Sequence, residues 1–261
     1  MKSISIAIIA VFLGAFLMAP FFAGDAAEAL TIKANHDHIN IDSFYNGSTV
    51  SVKGNASKGT DVVVAITSAE QHPQSLRRKG HVGGILWMNV GGVTFEGVPG
   101  LYIVHSTRAI DSILEPGARD SYGIGYPALI KRAGVSGVDD AEKERWFAEF
   151  IKFKEASHLY SAAAGTVTTQ ESDGDQSYAL HVDWPYQAQP GDYVVTVYEV
   201  KEGKVVDTAK ANVVVEQVGL VKTLAEMARK NGALYGIVAI LIALGAGFGV
   251  GLIFRKGGGA H

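Results

Sequence analysis

Between residues 30 and 217, apolar and polar positions alternate in short runs, the period-two pattern of strands with one buried face. Leu30, Ile32 and Ala34 open the series, and Ile39 and Ile41 follow. Thr49–Gly54 and Asp61–Thr67 are β-branched runs parted by the turn-forming stretch Asn55–Thr60. Ile85–Val90 and Leu101–Ser106 continue the pattern, and the glycines with Pro99 between Gly83 and Gly100 exclude a helix there. The period then changes. Trp146, Phe147, Phe150, Ile151 and Phe153 recur at helical spacing, and Asp139 stands three residues before Glu142, the spacing of a capping box. These positions predict an amphipathic helix over Asp140–Tyr160 lying on the sheets, with shorter helices at Ser112–Leu114 and Pro127–Ala133. The aromatic stripe suits a core face first and a partner groove second.

Strands resume after Gly165. Tyr178–Val182 alternates, Pro190-Gly191-Asp192 marks a turn, and Tyr193–Val200 and Val205–Glu216 flank Lys201-Glu202-Gly203-Lys204, a hairpin with Gly203 in its turn. Pro-Gly-Asp followed by Tyr-x-Val-x-Val-Tyr resembles the entry into the late strands of an immunoglobulin-like sandwich. The elements together predict a mainly β fold with inserted helices. Its form is an immunoglobulin-like β-sandwich over residues 30–217, with a helical insertion at about 111–164. Two small β units are the alternative arrangement.

Two apolar runs flank this region. At the N-terminus Lys2 precedes Ile4–Phe22, which Ser5 and Pro20 interrupt, and Asp25 and Ala27-Glu28-Ala29 follow. That order predicts a secretory signal peptide over residues 1–29, with an uncleaved anchor as the alternative. At the other end Leu220, Val221, Leu224 and Met227 mark a juxtamembrane amphipathic helix within 218–232. The uncharged stretch Ala233–Phe254 then predicts a transmembrane helix, about 33 Å long against a hydrocarbon core of about 30 Å. Arg255-Lys256 begin a tail over 255–261. A cleaved signal and one span place residues 30–232 outside the cell membrane and the tail in the cytoplasm. Ala239, Ala243, Gly247 and Gly251 recur every four residues, and Gly245 and Gly249 form a second small pair. On a helix such residues share a face that admits another helix closely.

Composition sharpens this picture. The chain has 261 residues, 48% of them apolar, no cysteine and a net charge of -3. The apolar share is ordinary for a globular protein, but much of it sits in the two end runs. The acidic balance excludes nucleic-acid binding driven by bulk charge. The missing cysteines exclude disulfides, thiolate metal sites and a cysteine nucleophile.

Candidate chemistry is sparse. His36 and His38, around Asp37 and near Asp42, would point the same way on a strand and share one metal ion, against the plainer reading of solvated imidazoles. Asp173-Gly174-Asp175 resembles part of a calcium loop but lacks its remaining donors, so it reads as a surface turn. Arg77-Arg78-Lys79 is a solvated loop or an anion site. No nucleophile elbow, phosphate loop or His-Glu-x-x-His motif occurs. No cofactor and no catalysis are expected.

One stretch carries a resemblance. Arg77-Arg78-Lys79, Val82-x-Gly84-Ile85-x-Trp87-Met88-Asn89, Val93-Thr94-Phe95, Val98-Pro99, Tyr102 and Ser106-Thr107-Arg108 resemble the signature of a family of single-pass membrane proteins described first in alphaproteobacteria. Pro190-Gly191-Asp192-Tyr193, Val218-Gly219 and Leu234-Tyr235-Gly236 extend it over most of the chain. Leu86 between Ile85 and Trp87, and Ala109 where proline often follows, depart from it. The resemblance implies a bacterial envelope protein. Members are often encoded near permeases of the sulfite-exporter type, which implies an accessory role and assigns no site residues. In physical terms Asn89 and the glycines would form a tight turn, and Trp87 and Phe95 would fill a core. Arg77, Arg78, Lys79 and Arg108 would gather on one surface facing an anion, a lipid headgroup or a partner.

The expectation is a non-enzymatic, single-pass protein of the bacterial inner membrane with a periplasmic sandwich. Its partner is an integral membrane protein such as a permease, or a second copy, met through Ala239, Ala243, Gly247 and Gly251. The alternative is a tethered module that binds an anion through Arg77, Arg78, Lys79 and Arg108, or a metal through His36 and His38. An enzyme is the third class.

Overall fold

The alternating runs build two sheets that face each other. The computed structural model describes residues 30–82, 86–172 and 175–255, so the expected signal peptide over 1–29 and the tail beyond Arg255 lie outside the described residues. One sheet runs β1 (Lys33–Ala34), β3 (Ser48–Ser57), β11 (Asp175–Trp184), β10 (Thr168–Glu171). The other runs β2 (His38–Ile41), β13 (Lys204–Gln217), β12 (Gly191–Lys201), β4 (Asp61–Ser68), β7 (Tyr102–Ser106), β9 (Tyr160–Ala164). Neighbours in these two sheets are antiparallel except β2–β13 and β7–β9. This is the order of a variable-type immunoglobulin sandwich, A-B-E-D against G-F-C-C′-C″, with β2 added beside the last strand. Val50, Val52, Tyr178 and Leu180 from one sheet meet Val62, Val64, Ile66, Val195, Val197 and Val213 from the other in one core.

The corner that opens β12 holds the sandwich in the manner of this fold. The Tyr193 hydroxyl donates to the Gln189 carbonyl at 2.5 Å, and its ring meets Trp184 edge-on at 4.8 Å. Two residues on, where antibody domains carry a cysteine, stands the buried Val195. Apolar packing takes the place of a disulfide.

A second core explains why β4 reads as a run rather than an alternation. Val62 to Ile66 are all buried, because the sheet is covered on both faces. The outer cover comes from inserted segments. A hairpin of β5 (Gln74–Val82) and β6 (Leu86–Glu96) joins β8 (Gly134–Ser136) in a third sheet. Helices α1 (Ile110–Ile113), α2 (Pro116–Tyr122), α3 (Tyr126–Arg132) and α4 (Lys143–Ala156) follow β7. Val63, Ala65, Tyr102 and Val104 on the sheet pack against Phe95, Phe147 and Phe150. The parallel pairing of β7 with β9 requires a crossover rather than a hairpin, and these helices supply it.

Several expectations are corrected here. The strand expected at Ile85–Val90 falls, from Leu86 on, in β6 and leaves the sandwich instead of continuing it, and Arg77-Arg78-Lys79, expected as a loop, lies on strand β5. The segment expected as a helical insertion at about 111–164 also carries strands β8 and β9. Helix α4 is shorter than Asp140–Tyr160, and Phe153 falls off its buried face. The capping box does not form: the Asp139 side chain makes no cap bond, and its backbone oxygen instead accepts from the Glu142 N–H at 2.9 Å in a 3-10 turn. Asn89 lies inside β6 near the bulge, not in a turn.

After β13, α5 (Gly219–Lys230) leads to α6 (Gly232–Arg255). The stretch Gly232–Leu252 has a mean hydropathy of 2.2 and is long enough to cross a membrane, with none of its most apolar window buried against the described chain.

Candidate functional site

The buried face of α4 carries Phe147, Phe150, Ile151 and Lys154. Helical spacing puts the lysine on the same stripe as the aromatics, so folding draws it inward until 4% of it is exposed. Its Nζ donates to Gln74 Oε1 at 3.0 Å and to the Gly100 carbonyl at 3.3 Å. The ammonium also lies 5.5 Å from the Phe150 ring centroid and 5.6 Å from that of Tyr160. Both hydrogen-bond acceptors are uncharged, and burial pushes the amine down to about 8.

This lysine lines a cleft of about 100 Å³ at the base of the β5–β6 hairpin, with Ser68, His72, Gln74, Pro190 and Tyr193 around it. The room suits a few waters or one small oxyanion, well below the 300 Å³ or more, roughly, of an ordinary small-molecule site. Lys154 has three donors and uses two, so one N–H is left to bind an anionic oxygen. Ser68 Oγ is already an acceptor for the Gly100 N–H at 2.7 Å, and Glu70 and His72 pair with each other at 3.0 Å. The cleft thus offers one ammonium donor, with the Glu70 and Asp192 carboxylates also in its lining, and among the described residues it shows no nucleophile with a base beside it.

Hydroxyl–imidazole pairs occur elsewhere. Ser51 Oγ meets His181 Nδ1 at 2.7 Å, and His105 meets Ser161 Oγ at 3.2 Å and Thr166 Oγ1 at 2.9 Å. Both nitrogens of His105 are thus on hydroxyls, and burial lowers its basicity. A carboxylate that orients the imidazole, the third member of a hydrolytic triad, is bonded to neither ring among the described residues.

The residues expected from the sequence are dispersed. Arg77 and Lys79 are exposed on β5, with Arg78 between them at a bulge. Arg108 does not join them. Its guanidinium grips Asp61 at the start of β4, with Nε at 2.9 Å from Oδ1 and a second bond to Oδ2. Arg108 first, and Thr107 after it, hold the Asp61 carboxyl below its usual range. His36 lies between β1 and β2 rather than on a strand, so the strand alternation expected to align it with His38 does not apply. His38 Nδ1 instead sits 3.4 Å from Asp37. Among the described residues no three His, Asp or Glu side chains gather to hold a metal, and Asp173-Gly174 lies outside those residues. Ala239, Ala243, Gly247 and Gly251 are exposed along α6, and a Cβ added at either glycine meets no atom within 4 Å. Lys154 was missed because a lysine reads as solvent-facing; its spacing from Phe150 and Ile151 was the available signal.

The sequence matches a family model described as "Putative transmembrane protein" (Alph_Pro_TM) over residues 29–256. No curated protein sequence matches it. Among solved structures, domain 1 of VCBP3 from Branchiostoma floridae is similar at 11% identity. The alignment covers 73% of this chain and 96% of that one, with a TM-score of 0.22.

Proposed function

The chain belongs to that family of transmembrane proteins, and from this premise we propose that it is a non-catalytic accessory protein of the bacterial inner membrane. Its sandwich stands in the periplasm after removal of a signal peptide, and its C-terminus lies in the cytoplasm. Its partner is an integral membrane protein, with a permease of the sulfite-exporter type as the specific candidate. The observation that carries this reading is the pairing of a sandwich that shows no catalytic constellation among its described residues with one apolar helix. Ala239, Ala243, Gly247 and Gly251 give that helix a face a second helix can approach. The hairpin residues Leu86 and Met88, 63% and 52% exposed, add an apolar surface outside the membrane. In-cell crosslinking and detergent pull-down test the reading. A discrete complex that weakens when Gly247 and Gly251 become Leu is expected. Recovery of monomer alone, unchanged by those substitutions, removes it.

The anion-binding alternative keeps one specific observation in its favour, the buried Lys154 ammonium whose hydrogen bonds go only to uncharged acceptors, in a cleft that Glu70 and Asp192 also line. It moves that reading from Arg108 to the cleft. Sulfate or sulfite that raises the melting temperature of the wild type and not of K154M supports it, since a ligand of the folded state must stabilise that state.

A further inference from the structure

Helix α5 leaves β13 through Val218, whose N–H donates to the Ile41 carbonyl at 3.0 Å, and through Gly219, which turns the chain at φ 61. At 3.6 residues per turn, Leu220, Val221, Leu224, Met227 and Ala228 fall within an arc of about 120°. Lys222, Glu226, Arg229 and Lys230 occupy the opposite side. A soluble helix of this pattern packs its apolar stripe on a core. Here no residue of α5 is buried, and Leu220 and Leu224 are 70% and 43% exposed.

Position says what covers that face. Only Asn231 separates α5 from α6, and its φ of -142 and ψ of 65 break the helix between them. A helix of this length reaches about 18 Å, so the whole of α5 lies close to the surface that α6 enters. The break at Asn231 means that α5 does not simply continue α6 as one helix. The polar side carries three cations against Glu226, which pairs with Lys230 at 3.1 Å, while Lys222 stands 3.9 Å from Glu216.

We propose that α5 lies in the headgroup layer, with Leu220, Leu224 and Met227 in the acyl boundary and Lys222, Arg229 and Lys230 on the phosphates of anionic phospholipids. The apolar face and the basic rim are the two parts of an interfacial helix, and phosphates attract basic residues placed beside a span. The inference rests on the reading of α6 as a membrane span.

The chain has no cysteine, so single labels report cleanly. The full chain is placed in nanodiscs of phosphatidylglycerol or of phosphatidylcholine, spin-labelled at Leu224→Cys, Thr223→Cys or Leu244→Cys. Collision with oxygen is compared with collision with a water-soluble nickel chelate. Position 244 tests the span by itself: oxygen must dominate there, or the spanning reading fails and takes the inference with it. With the span intact, oxygen is expected to exceed nickel several-fold at 224 and nickel to dominate at 223. The contrast should be larger in phosphatidylglycerol and shrink when Lys222, Arg229 and Lys230 become Gln. Equal nickel access at 223 and 224 overturns the interfacial helix. So does a label at 224 shielded from both reagents, which would mean a protein partner covers it. A contrast identical in both lipids overturns the recognition of anionic headgroups.

Discussion

An ammonium taken out of water without a carboxylate to meet it loses hydration that two neutral carbonyls only partly replace. Lys154 is in that position, and its amine falls to about 8, from about 10.4 in an exposed lysine. Between those values the unfolded chain binds a proton that the folded chain does not, so stability attributable to Lys154 rises as the pH climbs. Chemical denaturation of the detergent-solubilised chain should show the wild type gaining about 2 kcal/mol on K154M between about pH 7 and pH 10. Parallel pH profiles would show that the amine titrates as it does in water. At this scale the sequence was partly legible. The spacing that buries Phe147, Phe150 and Ile151 also buries Lys154, and only its charge argued otherwise. The pairing of Arg108 with Asp61 was not legible, because 46 residues separate Thr107, the hinge of that cluster, from Asp61, and only the β4–β7 register brings the two together.

Strands were easier to read than their partners. The runs at β3, β4, β11, β12 and β13 stand out because alternation or β-branching records that a face is buried. Alternation does not record what buries it, so the strand at Ile85–Val90 read as one more of the sandwich, and the polar Arg77-Arg78-Lys79 as a loop, when both belong to a hairpin that forms a separate cover. Helix α4 was visible from its aromatics, while its start was misjudged because a capping box at Asp139 was spelled but not made. One element depends on a residue with no side chain. In β3, a Cβ on Gly54 would fall on the Thr31 carbonyl oxygen and within 2.6 Å of the Tyr178 hydroxyl, which itself donates to Thr31 at 2.5 Å. The obstacle is backbone, so β1 would have to move off the sheet. G54A is expected to cost about 3 kcal/mol, read as a lower denaturation midpoint with an unchanged slope. A midpoint within error of the wild type would mean that β1 yields freely.

The whole molecule is a variable-type sandwich without its usual covalent tie. Tyr193 shares the work of the missing disulfide by holding the chain before β12 through Gln189. Y193F keeps the ring against Trp184 and removes only that bond, at an expected cost of about 1 kcal/mol. A larger loss, with a changed denaturation slope, would mean that the corner organises the sandwich beyond one hydrogen bond. The late-strand turn at Pro190-Gly191-Asp192 pointed to this fold. The second core did not announce itself, since it is made from pieces that sequence order scatters.

The register also fixes where the cleft lies. Ser68 is opposite Tyr193, and Gly191 is opposite Val215, two residues before β13 ends and the chain turns toward α6. Asp61, paired with Val200, marks the other end. Lys154 and its cleft therefore sit at the end of the sandwich from which the membrane helix departs, and Arg108 at the far end. For a molecule anchored by α6, Lys154 would lie on the side of the sandwich nearer the bilayer and Arg108 on the side away from it.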